Sequence, residues 1–205
     1  MEAESQSPLT PKGGEAVRCF VSLPVPAAIQ EEIGKFQRSL DSKIPSEAVR
    51  WTAPEQIHVT LKFLGKVETA ALPELTDALA NATRGSTEVR LTAESLGCFP
   101  SRKNPRVIWI GLSGDVAPLS QVQARVDQNI AQWAQKEEDR KFNPHLTIGR
   151  LRENAMRHSR QTGAILESVT APKFGSWTGT EIHLMQSQLS PKGAVHTILQ
   201  RFTLR

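Results

Sequence analysis

Two segments of the sequence place a histidine two residues before a threonine. His58 precedes Thr60 in the first segment, and His145 precedes Thr147 in the second, with aliphatic residues between and after them. Histidine changes charge near neutral pH, so a pair can hold one neutral and one protonated ring at once. Such a pair suits concerted acid–base displacement, in which one ring takes a proton from water and the other protonates the leaving oxygen.

The threonine hydroxyls fit the same chemistry. A hydroxyl beside each imidazole can hydrogen-bond a non-bridging phosphoryl oxygen as negative charge builds on it. The pattern indicates a phosphodiester substrate whose leaving group needs a proton, and a strained ribose 2′,3′-cyclic phosphate fits well. For either segment alone another interpretation stays open, because threonine is simply common in strands. The presence of two copies favours the functional interpretation.

Both segments show the alternation of a β-strand. Side chains on a strand point to opposite faces with a period of two. His58 and Thr60 are therefore predicted to share one face, while Val59, Leu61 and Phe63 share the other. The second segment alternates in the same way. Each strand would offer an apolar face to a core and an imidazole beside a hydroxyl to solvent.

The order of predicted elements recurs along the chain. A helix, a strand, a loop and a further strand follow each histidine at nearly equal distances, and the strand at residues 18–23 precedes His58 as the strand at 106–112 precedes His145. An internal duplication explains this recurrence. It predicts an α+β fold with two pseudo-symmetric lobes, whose mainly antiparallel sheets flank a central cleft, each lobe presenting one histidine.

The composition indicates one globular domain. The chain has 205 residues, of which 39% are hydrophobic and 22% charged, enough to bury a sizeable core. Residues 1–16 are polar with prolines and glycines, which predicts a disordered tail before a single domain of two interleaved lobes at 17–205. The net charge of +4 is compatible with a polyanionic ligand but is too small for a protein that coats nucleic acid.

The sequence favours a cytoplasmic monomer without a metal or other cofactor. Neither a signal peptide nor a membrane-spanning run of about 18 apolar residues is visible. Cys19 and Cys98 form no Cys-x-x-Cys pair, so we expect two buried free thiols. We also expect no obligate protein partner. Two histidines without a carboxylate in either motif make a poor zinc site. Of the other histidines, His183 could face the cleft or a polar surface.

Four segments resemble one family. Residues 50–65 (RWTAPEQIHVTLKFLG) resemble the first motif of the bacterial RNA 2′,3′-cyclic phosphodiesterases, first named 2′-5′ RNA ligases, which belong to the two-histidine phosphoesterase superfamily. Residues 142–150 (FNPHLTIGR) resemble the second motif. Residues 18–21 (RCFV) and 184–193 (LMQSQLSPKG) are similar to the opening strand and the closing loop. The resemblance covers nearly everything beyond the tail.

The resemblance implies hydrolysis of a terminal 2′,3′-cyclic phosphate of RNA to a 2′-phosphate without a metal, with the reverse 2′-5′ ligation possible in vitro. It implies that His58 is the proton donor toward the 3′ oxygen and His145 the proton acceptor toward water. Thr60 and Thr147 would bind the phosphate.

Two arginines and a further histidine are also candidates for the site. Arg150 and Arg18 are candidates for substrate contact, and each is equally compatible with a surface or structural role. His196 lies where the family usually has a tyrosine, and the chain contains no tyrosine. Any nucleotide contact made by that tyrosine is therefore not carried over to this chain.

Two alternatives remain open from the sequence. The same chemistry could act on a small cyclic nucleotide or on ADP-ribose cyclic phosphate, because the distal part of the ligand would contact unassigned loops. The chain could instead be a non-catalytic module that binds RNA ends, with tight, salt-sensitive binding and no product.

Overall fold

The computed structural model describes residues 14–135, 141–190 and 193–205. The sequence predicts a tail at 1–16. Residues 1–13 of this tail lie outside the described residues, whereas Ala16 belongs to the first strand. No helix among the described residues is long and apolar enough to cross a membrane. The elements in chain order are β1 (Ala16–Pro24), α1 (Ala27–Asp41), β2 (Val49–Trp51), β3 (His58–Glu68), α2 (Leu72–Thr83), β4 (Val89–Ser101), β5 (Asn104–Gly114), α3 (Val116–Ile130), β6 (His145–Leu151), α4 (Ser159–Ser168), β7 (Gly175–Gly179), β8 (Glu181–Ser190) and β9 (Gly193–Thr203).

The strands form one antiparallel sheet with a symmetric order. The sequence of neighbours is β7-β4-β5-β6-β3-β1-β8-β9, and β2 pairs with β6. A pseudo-two-fold axis between β6 and β3 relates β3 to β6, β1 to β5, β8 to β4 and β9 to β7. Because β4 pairs in the half that holds β5 and β6, while β8 pairs in the half that holds β1 and β3, the two repeats are interleaved. The predicted bilobal α+β fold is confirmed.

The helices cover one face of this sheet. Residues at helical spacing on α1, α2 and α3 are buried and join one hydrophobic core with the inward residues of the strands. The strand residues that share this core include Val21, Val59, Leu61, Leu146 and Ile148, none of which is more than 1% exposed. The apolar faces that the alternation predicted for the two histidine strands therefore lie against the helices, and their polar faces point to the opposite side.

Cys19 and Cys98 are both buried and unpaired, which confirms the prediction of two free thiols. Burial raises the pKa of the Cys19 thiol to about 11. These thiols behave as small apolar core residues rather than as reactive groups.

A matched β-bulge interrupts the alternation in both histidine strands. Along β3 the partner of Ser22 is Thr60 while the partner of Val21 is Lys62, so Leu61 is an extra residue. In the equivalent position of β6, Ile148 is the extra residue between the partners of β5. A bulge changes the face to which the following side chains point.

The bulge corrects one prediction. Phe63 was expected on the core face with Leu61, but it is 51% exposed, while Lys62 is only 4% exposed. Because the extra residue at Leu61 shifts the alternation, Phe63 turns to the cleft side and Lys62 turns toward the helices. The ammonium group of Lys62 there forms an ion pair with the carboxylate of Asp127 on α3.

This ion pair gives a test of the bulge. Asp127→Ala leaves the buried ammonium group of Lys62 without its partner. We expect the free energy of unfolding to fall by about 3 kcal/mol, the low end for a buried pair, because the Asp127 side chain is itself 44% exposed. Lys62→Met fills a similar volume without a charge and is expected to change it by less than about 1.5 kcal/mol. Urea denaturation measures both values, with Asp77→Ala on the exposed face of α2 as the control. Equal losses in the Asp127 and Lys62 variants would contradict the pairing.

Candidate active site

The two histidines begin two strands that meet at the centre of the sheet. His58 is the first residue of β3 and His145 is the first residue of β6. The residues that follow them, Val59 and Leu146, face each other in the single ladder pair that joins these strands. The junction between the lobes therefore brings the two imidazoles to one place.

The same register brings in the threonines. In an antiparallel pair the residues on either side of Val59 and Leu146 oppose one another crosswise. His58 is thus opposite Thr147, and His145 is opposite Thr60. All four side chains are half-buried and lie on the face away from the helices. The structure therefore brings together the four residues that the sequence pattern singled out.

Each imidazole is held by the same kind of hydrogen bond. The Nδ1 atom of His58 lies 2.7 Å from the carbonyl oxygen of Gln56, and that of His145 lies 2.7 Å from the carbonyl oxygen of Asn143. A carbonyl oxygen can only accept, so Nδ1 carries the hydrogen and donates it in both rings. This tautomer leaves Nε2 of each ring as the nitrogen for proton exchange.

The segment before His58 is itself fixed. Pro54–Gln56 form a 3₁₀ turn, in which the Gln56 amide nitrogen donates to the carbonyl oxygen of Ala53 at 2.8 Å. The side-chain amide of Gln56 donates to the carbonyl oxygen of Ala194 on β9. Gln56 therefore connects the backbone that holds the His58 ring to the last strand of the sheet.

Aromatic rings surround His58. The ring of Phe20 stacks on it with centroids 4.9 Å apart and an interplanar angle of 25°. The ring of His196 lies edge-on, 5.5 Å from His58 and 4.9 Å from Phe20. A third imidazole thus stands beside the candidate acid, contributed by β9 from the far end of the chain.

His145 has a similar environment from other strands. The ring of Phe99 on β4 lies 5.1 Å from it, edge-on, and the ring of Trp109 on β5 lies 6.2 Å from it. Trp109 covers Gly97 so closely that a Cβ atom there would lie 2.1 Å from the indole ring. A residue without a side chain is therefore required at Gly97 for Trp109 to pack over this strand beside His145.

Burial dominates the electrostatics of both rings. It lowers the pKa of His58 to about 4, opposed by the hydrogen bond to Gln56 and reinforced by the charges of His196 and His145. Burial also lowers the pKa of His145, against the hydrogen bond to Asn143, and the charge of Arg150 lowers it further. Both imidazoles are therefore neutral at pH 7 in the free protein. One can act as a base at once, and the other needs a proton when an anion binds.

The two predicted arginines occupy different places. Arg150 lies on β6 beyond the bulge, on the face of Thr147, and its pKa is lowered by burial and by the charge of Arg50 opposite it. Arg18 lies exposed on β1, six residues before Pro24, which is the partner of His58. Arg150 therefore adjoins His145, whereas Arg18 lies at the end of the cleft.

His183 lies opposite Ser22, on the face of the sheet that points away from the helices, but it is buried there. Its side chain is 7% exposed and its Nε2 atom lies 2.7 Å from the Glu181 carboxylate, which also binds Arg201 at 2.8 Å. These contacts give it a structural role.

The sequence pattern did not predict which rings contact the two histidines, namely those of Phe20, Phe99, Trp109 and His196. They come from strands that are distant in sequence, so no local pattern marks them.

In the part of the chain that the structure describes, no group of three or more His, Cys, Asp or Glu side chains is placed to hold a metal ion. The expectation of a metal-free reaction rests on residue types and stays a prediction.

Comparison with known proteins gives a consistent result. The family model described as LigT like phosphoesterase matches the chain twice, at residues 23–109 and 110–196, so that each match holds one histidine motif. A protein of Aquifex aeolicus named RNA 2′,3′-cyclic phosphodiesterase is 29% identical over 93% of this chain and 98% of its own length. A protein of Methanocaldococcus jannaschii with the same name is 28% identical over 91% of this chain and its whole length.

Solved structures agree with the sequence relatives. The crystal structure of E. coli LigT complexed with 3′-AMP superimposes with a TM-score of 0.73 at 27% identity, covering 93% of this chain and 99% of that protein. LigT complexed with phosphate gives a TM-score of 0.69 with the same identity and coverage.

The burial of the two rings predicts their titration. In an NMR titration of the folded protein we expect His58 to titrate near pH 4 and His145 below pH 6.5. Protons then bind the unfolded chain first, so the stability that these rings contribute is complete above about pH 6.5 and is lost as the pH falls toward 4.

The control for this titration is the same protein in urea, where both rings should titrate near 6.5. A folded-state pKa of 6.5 or more for His58 would contradict the burial of its ring.

Proposed function

The chain belongs to the LigT-like phosphoesterase family and is a 2′,3′-cyclic phosphodiesterase, and we propose that His58 and His145 hydrolyse the 2′,3′-cyclic phosphate end of RNA by metal-independent acid–base catalysis. The observation that carries this proposal is the pair of imidazoles at the lobe junction. Each ring donates from Nδ1 to a backbone carbonyl and keeps Nε2 for the reaction. Two rings held in the same way from opposite halves are suited to act on either side of one phosphorus atom.

The proposed reaction is one in-line displacement. Nε2 of His145 takes a proton from water while the water oxygen bonds to phosphorus. The bond between phosphorus and the 3′ oxygen breaks, and Nε2 of His58 gives its proton to that oxygen. The product carries a 2′-phosphate and a 3′-hydroxyl. The assignment of donor and acceptor follows the family resemblance.

Thr60 and Thr147 stabilise the charge that develops. Each hydroxyl lies across the strand junction from the histidine of the other motif, so both can donate to non-bridging oxygens of the phosphate between the rings. Arg150, which adjoins His145, adds a permanent positive charge on the same face. The phosphate anion in turn favours protonation of an imidazole, which supplies the acid that the free protein lacks.

The same displacement can also use a different nucleophile. When the 5′-hydroxyl of a second RNA strand replaces water, attack on the cyclic phosphate gives a 2′-5′ linkage and frees the 3′-hydroxyl. We include this ligation in the proposal as the reverse of 2′-5′ linkage cleavage.

The proposal also covers the setting of the reaction. We place the enzyme in the cytoplasm, since two buried free thiols suit a reducing compartment. We also propose that it acts as a monomer without an obligate protein partner. The names of the relatives, RNA 2′,3′-cyclic phosphodiesterase, support RNA over a small cyclic nucleotide or ADP-ribose cyclic phosphate. The complexes of E. coli LigT with phosphate and with 3′-AMP support a phosphate site in this fold.

Replacement of either histidine tests the mechanism. With an oligonucleotide that ends in a 2′,3′-cyclic phosphate, in excess chelator, we expect His58→Ala and His145→Ala each to lower kcat by about 100-fold or more, because each removes one proton transfer. His158→Ala, outside the cleft, is the control and should keep the wild-type rate.

Three results would contradict this part of the proposal. Full activity in either alanine variant would exclude the two-histidine mechanism. Loss of wild-type activity in chelator would indicate a metal. Tight RNA binding without any product would indicate a binding module.

The pH dependence of kcat/KM gives a second test. This parameter reports the free enzyme, in which the pair must hold one proton between its two rings. Because both pKa values lie below 6.5, we expect a maximum on the acid side of pH 6.5 and a fall of about tenfold per unit at higher pH. A maximum at or above pH 7 would contradict the assignment of these two rings as acid and base.

A further inference from the structure

Arg50 and Arg150 form an unusual pair beside the proposed phosphate site. They are direct partners in the antiparallel ladder between β2 and β6. Directly opposite residues point to the same face with Cβ atoms about 5 Å apart, and like charges in this position destabilise a sheet. Both residues reach solvent on the face that carries Thr147, although neighbouring groups partly desolvate the Arg150 guanidinium. The chain therefore keeps two guanidinium groups together at a position where they repel each other.

Nothing in the described part of the protein neutralises this pair. Among residues 14–135, 141–190 and 193–205, no carboxylate lies within ion-pairing distance of either guanidinium group. The charge of Arg50 is felt by Arg150, whose pKa it lowers, and the charge of Arg150 is felt by His145. Fixed positive charge therefore extends from Arg150, beside His145, to Arg50.

The backbone does not allow the two arginines to separate. The side-chain amide of Gln37 on α1 donates to the carbonyl oxygens of Thr52 and Ile148, at 2.7 and 2.8 Å, and so ties β2 to β6. The amide nitrogen of Thr52 also donates to the carbonyl oxygen of Ile148 at 2.9 Å. Trp51, the residue after Arg50, is also fixed, because its indole nitrogen donates to the Asp41 carboxylate at 2.7 Å. The separation of the two arginines along the backbone is therefore set before any ligand binds.

Two forked cations without a carboxylate suit a phosphodiester anion, which a guanidinium group binds through two parallel hydrogen bonds. The scissile phosphate is already assigned to His58, His145 and the two threonines, with Arg150 beside it, so Arg50 on the far side of Arg150 can take a different phosphate. We propose that Arg50, together with Arg150, binds the backbone phosphodiester next to the cyclic end and makes the enzyme prefer an RNA chain over a mononucleotide. This inference rests on the proposed function and names the part of the substrate that Arg50 reads.

Three substrates separate this contact from the chemistry. The first is a dinucleotide with a natural phosphodiester linkage and a 2′,3′-cyclic phosphate end. The second is the same dinucleotide with an uncharged methylphosphonate linkage, and the third is adenosine 2′,3′-cyclic phosphate with a free 5′-hydroxyl. Only the first carries the second negative charge. The ratio of kcat/KM between the first two therefore measures recognition of that charge.

We expect the wild-type enzyme to prefer the charged dinucleotide by about tenfold, the value of one charge-assisted hydrogen bond. In Arg50→Gln this preference should fall to about twofold or less, while kcat/KM for the mononucleotide changes by less than about twofold. Arg50→Lys keeps the charge but loses the fork and should be intermediate. Arg84→Gln, an exposed arginine at the end of α2, is the matched control and should behave as wild type.

A binding measurement keeps the inference separate from the proposed function. Affinity of the 2′-phosphate dinucleotide, with either linkage, is measured on His145→Ala with and without Arg50→Gln, where no turnover is required. Loss of the linkage preference in the double variant supports the inference even if the wild type shows no hydrolysis, a result that overturns the proposed function alone. A preference that survives Arg50→Gln, or an equal loss with the mononucleotide, overturns the inference.

Discussion

A single ladder pair, Val59 with Leu146, determines where this protein can do chemistry. It joins two halves of the sheet whose other strands are contributed by both repeats of the chain. Because the strands are antiparallel and related by pseudo-two-fold symmetry, the residues that flank this pair are presented crosswise. Each imidazole then faces the hydroxyl of the other motif. Neither half could assemble this arrangement alone, so the site depends on the interleaving of β4 and β8 that holds the halves together.

Matched bulges give the duplicated frame two different ends. At Leu61 and Ile148 the extra residue turns the following side chains to new faces. The position that turns to the cleft is Phe63 in one repeat and Arg150 in the other. The equivalent position therefore presents an aromatic ring in one repeat and a guanidinium group in the other, although the backbone is the same. A symmetric scaffold can in this way bind an asymmetric substrate in one orientation.

The sequence was sufficient for the parts of the site that depend on local pattern. Alternation predicted that His58 and Thr60 share a face, and the recurrence of elements predicted two related lobes. The bulge was not predictable, because it depends on the register with β1 and β5, and this is why Phe63 was assigned to the wrong face. The contacts of Trp109 and His196 with the histidines arise from strand pairing across the repeats. The depressed pKa values follow from burial in that assembled structure, which no pair of residues reveals by itself.

The charges around the two rings bear on which of them is the acid. Burial lowers the pKa of His58 to about 4, which at first sight makes it a poor carrier of a proton. A low pKa also makes the protonated ring a strong donor to a leaving oxygen, and the phosphate anion raises the small protonated fraction when it binds. The imidazoles that lower the pKa of His58 are themselves neutral near pH 7 and then exert no repulsion. Arg150 beside His145 stays charged at every such pH, so its repulsion persists and disfavours a proton on His145. A fixed cation next to one ring and only titratable neighbours next to the other is the asymmetry that a base and an acid require.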